Sequence, residues 1–167
     1  MTLHELNLLP VEELWETLFR CCGSTAWVNK MMGFFPMDDL VEMLEDAEEQ
    51  WYTCKEADWR EAFTHHPKIG DVNSLKEKFA STAQWAEGEQ GAVNIATEET
   101  LVALQEANKK YEDKFGYIFI VCATGKSAQE MLDILNERLS NTPETEIAIA
   151  MDEQNKITLL RLQKLVL

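Results

Sequence analysis

The sequence predicts an all-α protein, a single-domain bundle of about seven or eight helices covering residues 1–167. Three observations predict it. Apolar residues recur at helical spacing nearly throughout the chain. Only Tyr117-Ile118-Phe119-Ile120-Val121-Cys122 reads as a strand, and one strand cannot form a sheet, so this run is expected to be extended chain threaded between helices. Finally, 167 residues with 46% hydrophobic and 27% charged side chains suffice for one sizeable core in an ordinary globular chain.

Val11, Leu14, Trp15, Leu18, Phe19 and Cys22 follow the spacing of one helix face, with Pro10 suited to its first turn and Gly23 to its stop. Trp27, Met31 and Met32 predict a short helix ending at Gly33. After Pro36, Leu40, Met43, Leu44, Ala47 and Trp51 form a stripe, and Glu42, Glu45, Asp46, Glu48 and Glu49 fill the other face as a solvated charge run. A helix from about Glu56 to His65 carries Trp59, Ala62 and Phe63 on one side and is stopped by Pro67. One or two short helices are expected over 72–90, around Phe79, Ala83 and Trp85. Thr97 caps a long helix ending at Gly116, whose stripe is Leu101, Leu104, Tyr111 and Phe115, with Asn108 on the same face. Ser127-x-x-Glu130 opens a helix through Leu139, and Thr142-Pro143 opens the last one.

Lys and Arg number 15 against 30 acids, a net charge of −15 that repels phosphate backbones and anionic lipid. No nucleic-acid or membrane partner is expected, and no apolar run approaches the ~20 residues of a membrane span. The start, MTLHELNLLPVEELW, lacks the basic region of a signal peptide, so a cytoplasmic location is expected. Four cysteines without a CxxC pair read as free thiols in a reducing compartment, and three histidines with scattered thiols make a poor metal set, so no metal is expected.

Three features can carry chemistry. In His65-His66-Pro67-Lys68-Ile69-Gly70-Asp71, neighbouring helical residues point about 100° apart, so only one histidine can face a given pocket. His66 precedes proline and so sits at a helix end, where the imidazolium is favoured. In Trp85-Ala86-Glu87-Gly88-Glu89-Gln90, glycine between two glutamates makes a bend that presents Glu89 and Gln90. At 100° per residue Arg161 falls on the stripe of Ile147, Ala150, Met151, Gln154 and Leu165, where it needs an anionic partner, a ligand or a path to water. Leu159 and Leu160 lie on other faces, a hint of a subunit interface. Taken singly, each feature also has a structural reading: a helix-stop turn, a solvated acidic loop, a snorkelling arginine.

Together they resemble the OHCU decarboxylases, the 2-oxo-4-hydroxy-4-carboxy-5-ureidoimidazoline decarboxylases of purine breakdown. The carrying segments are Cys22-Gly23-Ser24 with Trp27 and Met31, HHPKIGD at 65–71, WAEGEQ at 85–90, KFGYIFIVCATGKSAQEML at 114–132 and KITLLRL at 156–162. The resemblance implies an all-helical, cofactor-free carboxy-lyase, usually a homodimer, that forms (S)-allantoin and CO2. It implies His66 as the catalytic histidine, Pro67 beside it, and Glu89 with Gln90 as an acid–amide pair. It also implies substrate contacts from Ile118, Phe119 and Ile120 and from Arg161, and Ala86 stands where many members carry serine. The implied roles are general acid or proton relay for His66, acceptor of the hydroxyl proton for Glu89, and charge balance for Arg161. A different class stays open on the residues alone: a non-catalytic acidic helical interaction module in which the His-Pro turn is structural. A metal-dependent hydrolase is disfavoured, because adjacent histidines at a helix end make poor ligands of one ion.

Overall fold

The computed structural model describes residues 1–67 and 98–167, and among these every regular element is a helix. The helices expected over 72–90, the Thr97 cap and the WAEGEQ bend lie outside the described residues. Eight helices are described: α1 (Leu3–Asn7), α2 (Val11–Cys21), α3 (Thr25–Met32), α4 (Leu40–Tyr52), α5 (Glu56–Thr64), α6 (Glu98–Phe115), α7 (Ala128–Leu139) and α8 (Pro143–Leu165). They form two compact units. The first holds Met1–His66, Ile120–Cys122 and Ile147–Leu167; the second holds the described part of Pro67–Phe119 and Ala123–Glu146.

In the first unit α3 and α4 start on side-chain caps. Ser24 accepts from the Trp27 amide, and Asp39 Oδ1 accepts from the Val41 and Glu42 amides, so donors at each first turn find partners. Helix α1 went unforeseen because it is too short to show a period. Its signal is the reciprocal box Thr2-x-x-Glu5, in which Glu5 Oε2 accepts from the Thr2 amide at 2.7 Å and Thr2 Oγ1 from the Glu5 amide at 3.1 Å.

The core of this unit gathers Leu14 and Leu18 of α2, Trp27 and Met31 of α3, Met43, Ala47 and Trp51 of α4, Phe63 of α5 and Ala150 and Leu162 of α8. Buried indoles need an acceptor, and each finds a carbonyl: Trp27 donates to Ala47 at 2.9 Å and Trp51 to Met151 at 2.8 Å. Val11, counted on the α2 stripe, is 73% exposed, because at the first helical position its side chain projects past the packed turn. The acidic face of α4 is largely solvated, but Glu48 also accepts from Asn155 at 2.7 Å.

In the second unit α6 packs along α7. The α6 stripe Leu101, Leu104, Tyr111 and Phe115 is buried, with Ala107 beside it. Gly116 ends α6 with φ 81, a left-handed position that glycine adopts without Cβ strain. Ser127 caps α7 by accepting from the Glu130 amide. Residues 118–123 have no regular structure, so the apolar run is not a paired strand among the described residues.

Among the described residues no helix is long and apolar enough to cross a membrane. Burial pushes the Cys21 thiol up to about 11 and the Cys22 thiol up to about 12, which leaves both uncharged and poor nucleophiles.

Candidate active site

The two neighbouring histidines part company at the end of α5. His65 caps the helix and sets its ring edge-on to Phe19 of α2, at 4.8 Å between centroids. Gly23 permits this approach: a Cβ there would lie 2.7 Å from His65 Cβ, Cγ and Cδ2. His66, the next residue along, is half-buried, and its Nε2 is hydrogen-bonded to Gln154 Oε1 of α8. One histidine is thus packed against the end of α2, and the other is engaged by a buried polar side chain on α8.

Arg161 occupies the α8 face foreseen for it, two turns beyond Gln154. Its head is partly buried, and Nη1 donates to the Cys21 carbonyl, the last residue of α2, at 3.1 Å. A guanidinium at a helix C-terminus satisfies an orphan carbonyl and opposes the negative end of the dipole. Arg161 therefore has a structural partner in addition to any ligand. Ile120 is 1% exposed and belongs to the core of the first unit.

The second unit carries an open cleft of ≈ 570 Å³. Pro67, Ile118 and Phe119 share its wall with Asn108 of α6, so three of the sequence-derived candidates come together there. Lys109, Glu106, Glu112 and Asp113 add a mixed-charge rim. Asn108 was legible as an amide on an apolar stripe, although nothing in its spacing shows that it borders a cavity.

Behind Phe119 lies a buried ionic cluster that sequence reading missed. Glu146 Oε1 accepts from Arg138 Nε at 2.6 Å and from the Tyr111 hydroxyl at 2.6 Å, and its Oε2 accepts from Asn141 at 3.0 Å. The Arg138 guanidinium also lies over the Phe119 ring, 4.6 Å from its centroid. Burial, reinforced by donation to Glu146, pushes the Tyr111 phenol far up, so it stays a donor at any working pH.

Glu89, Gln90 and Ala86 lie outside the described residues, as does Lys68. Among the described residues no group of three His, Cys, Asp or Glu side chains could hold a metal ion.

A sequence model described as OHCU decarboxylase matches residues 7–163. The chain is 38% identical over 157 residues to the uric acid degradation bifunctional protein TTL of Arabidopsis thaliana, covering 92% of this chain and 47% of that protein. It thus spans about half the length of that relative. It is 24% identical to the 2-oxo-4-hydroxy-4-carboxy-5-ureidoimidazoline decarboxylase of Haloferax volcanii, covering 97% of this chain and 94% of that one. Among solved structures, an OHCU decarboxylase crystallised in the presence of (S)-allantoin superposes with a TM-score of 0.71 at 35% identity, over 88% of this chain and 94% of the other.

Proposed function

The chain belongs to the OHCU decarboxylase family, and from that premise we propose that it converts 2-oxo-4-hydroxy-4-carboxy-5-ureidoimidazoline to (S)-allantoin and CO2 in urate degradation. The observation that carries the reading is His66, the histidine of the matched HPKIGD segment, engaged through one ring nitrogen by a buried amide at a proline turn.

The substrate holds a carboxylate and a hydroxyl on one ring carbon, next to a ring C=N. When the bond to CO2 breaks, its electron pair passes into the neighbouring carbon–carbon bond and the C=N pair moves onto nitrogen, which takes a proton. The substrate is its own electron sink, so the reading calls for no cofactor. The resulting enol loses its hydroxyl proton and gains one on the adjacent carbon, from one face. Here Glu89 accepts the hydroxyl proton and His66 delivers the carbon-bound one, directly or by relay. Pro67, Ile118, Phe119, Ile120, Ala86 and Gln90 shape and contact the substrate, and Arg161 balances its charge. A net charge of −15 does not preclude an anionic substrate: it governs long-range encounter, while His66, Lys68 and Arg161 set the local field.

The test is an assay on freshly generated urate-oxidation product with protein dialysed against EDTA. One enantiomer of allantoin is expected, formed faster than the unaided decay. Racemic product at the unaided rate overturns the activity, and loss on dialysis reversed by Zn²⁺ overturns the metal-free chemistry.

The same reading carries a homodimer in the cytoplasm. Sedimentation is expected at twice 19.2 kDa, and a monomer at micromolar concentration means that Leu159 and Leu160 pack within one subunit. Arg161 separates by ligand linkage. (S)-Allantoin is expected to raise the melting temperature of wild type and to do so far less in Arg161→Met, since only binding to the native state stabilises it. Equal stabilisation would leave Arg161 as the α2 cap alone.

A further inference from the structure

Gln154 is fully buried in the middle of α8, and its amide is oriented from its far end. Nε2 donates to Thr158 Oγ1, one turn along the helix, at 3.1 Å. With Nε2 directed to Thr158, it is Oε1 that meets the His66 ring. An amide oxygen only accepts, so the ring nitrogen facing it carries hydrogen.

We propose that Gln154 is a positioning residue for His66: it holds the imidazole in the Nε2–H form, which makes Nδ1 the ring atom that takes up and returns the proton. The inference rests on the reading of His66 as the proton-transfer group. Histidines that move protons are commonly oriented through their second nitrogen, which fixes both tautomer and ring plane. A neutral amide suits an acid. It orients the ring without the full negative charge that would stabilise the imidazolium and make it reluctant to protonate carbon. Thr158, Gln154 and His66 thus form one directed chain within the first unit, and Thr158 and Gln154 are buried.

The experiment has a spectroscopic and a kinetic arm. Long-range ¹H–¹⁵N NMR on the intact wild-type chain is expected to show neutral His66 with hydrogen on Nε2. Hydrogen on Nδ1 overturns the proposal without any variant or activity measurement. Gln154→Leu is expected to lose that tautomer preference and to lower kcat about tenfold to a hundredfold, less than the ~10²–10⁴ that the whole positioned acid–base group supplies, with little change in KM. Gln154→Glu keeps an acceptor in place and is expected to restore the tautomer and part of kcat. Wild-type kcat in Gln154→Leu overturns the proposal, and so does a lost kcat with the tautomer intact. If Gln154→Leu does not fold, the wild-type tautomer and Gln154→Glu still decide. The two levels of inference fail differently. Full kcat in His66→Ala removes the proton-transfer reading and this role with it, whereas a loss at His66 with none at Gln154 removes only the positioning role.

Discussion

His66→Ala is expected to lower kcat by about 10²–10⁴ while the chain remains folded, and His65→Ala to keep most of the activity. The rings are adjacent in sequence, but they are committed to different surroundings. His65 lies edge-on to Phe19 and over Gly23, where there is no room even for a Cβ. Its removal opens space at the end of α2 and costs stability rather than chemistry. His66 is held through Nε2 by Gln154. Its removal leaves a buried amide oxygen without its donor, a cost of about 1–3 kcal/mol, so the melting temperature is expected to fall by several degrees. The decisive comparison is kcat for the two variants, each shown folded by circular dichroism. Equal losses in two folded proteins would mean that the proton-transfer role is assigned to the wrong ring or is shared by both.

Local signals made most of the fold legible, because most of its boundaries are local events. Pro10, Gly33, Pro67, Gly116, Ser127 and Pro143 each act through their own backbone or first-turn amides, and each lies within three residues of a helix boundary. Angular bookkeeping at 100° per residue also placed Gln154 and Arg161 on one inward face of α8 before any partner was known. It could not supply the partners. Gln154 meets His66 across 88 residues of sequence, and Arg161 meets Cys21 across 140. The candidate site was legible as far as motif and family resemblance reach. They brought Pro67, Ile118 and Phe119 forward together, and these three line one cleft. Motif and resemblance did not reveal which nitrogen of His66 is engaged, or what braces Phe119 from behind.

That brace leads to the largest expected effect on stability. By local pattern Glu146 is an acid in the first turn of α8 and Arg138 a base in the last turn of α7, both ordinary surface choices. In the structure both are buried, at 0% and 5% exposure, and they pair with each other and with Tyr111. Their pairing is a tertiary event between residues whose local patterns are each explained without it, which is why neither stood out. Glu146→Ala would strand the Arg138 guanidinium and the Tyr111 hydroxyl in the interior. Breaking such a pair from one side costs about 3–5 kcal/mol, a large share of the ~5–15 kcal/mol that holds a typical domain. At this chain length that corresponds to a fall of about 6–20 °C in melting temperature. Replacing both charges by apolar groups of similar size, Arg138→Met with Glu146→Leu, is expected to recover much of the loss, since no stranded charge remains. The guanidinium also lies over Phe119, so the double variant is expected to regain stability before it regains activity. Thermal melts of Glu146→Ala, Arg138→Met and the double variant decide it. A Glu146→Ala penalty under ~1 kcal/mol would mean that water reaches Arg138. A double variant less stable than either single one would mean that the pair itself, rather than its desolvation balance, holds α7 and the first turn of α8 together.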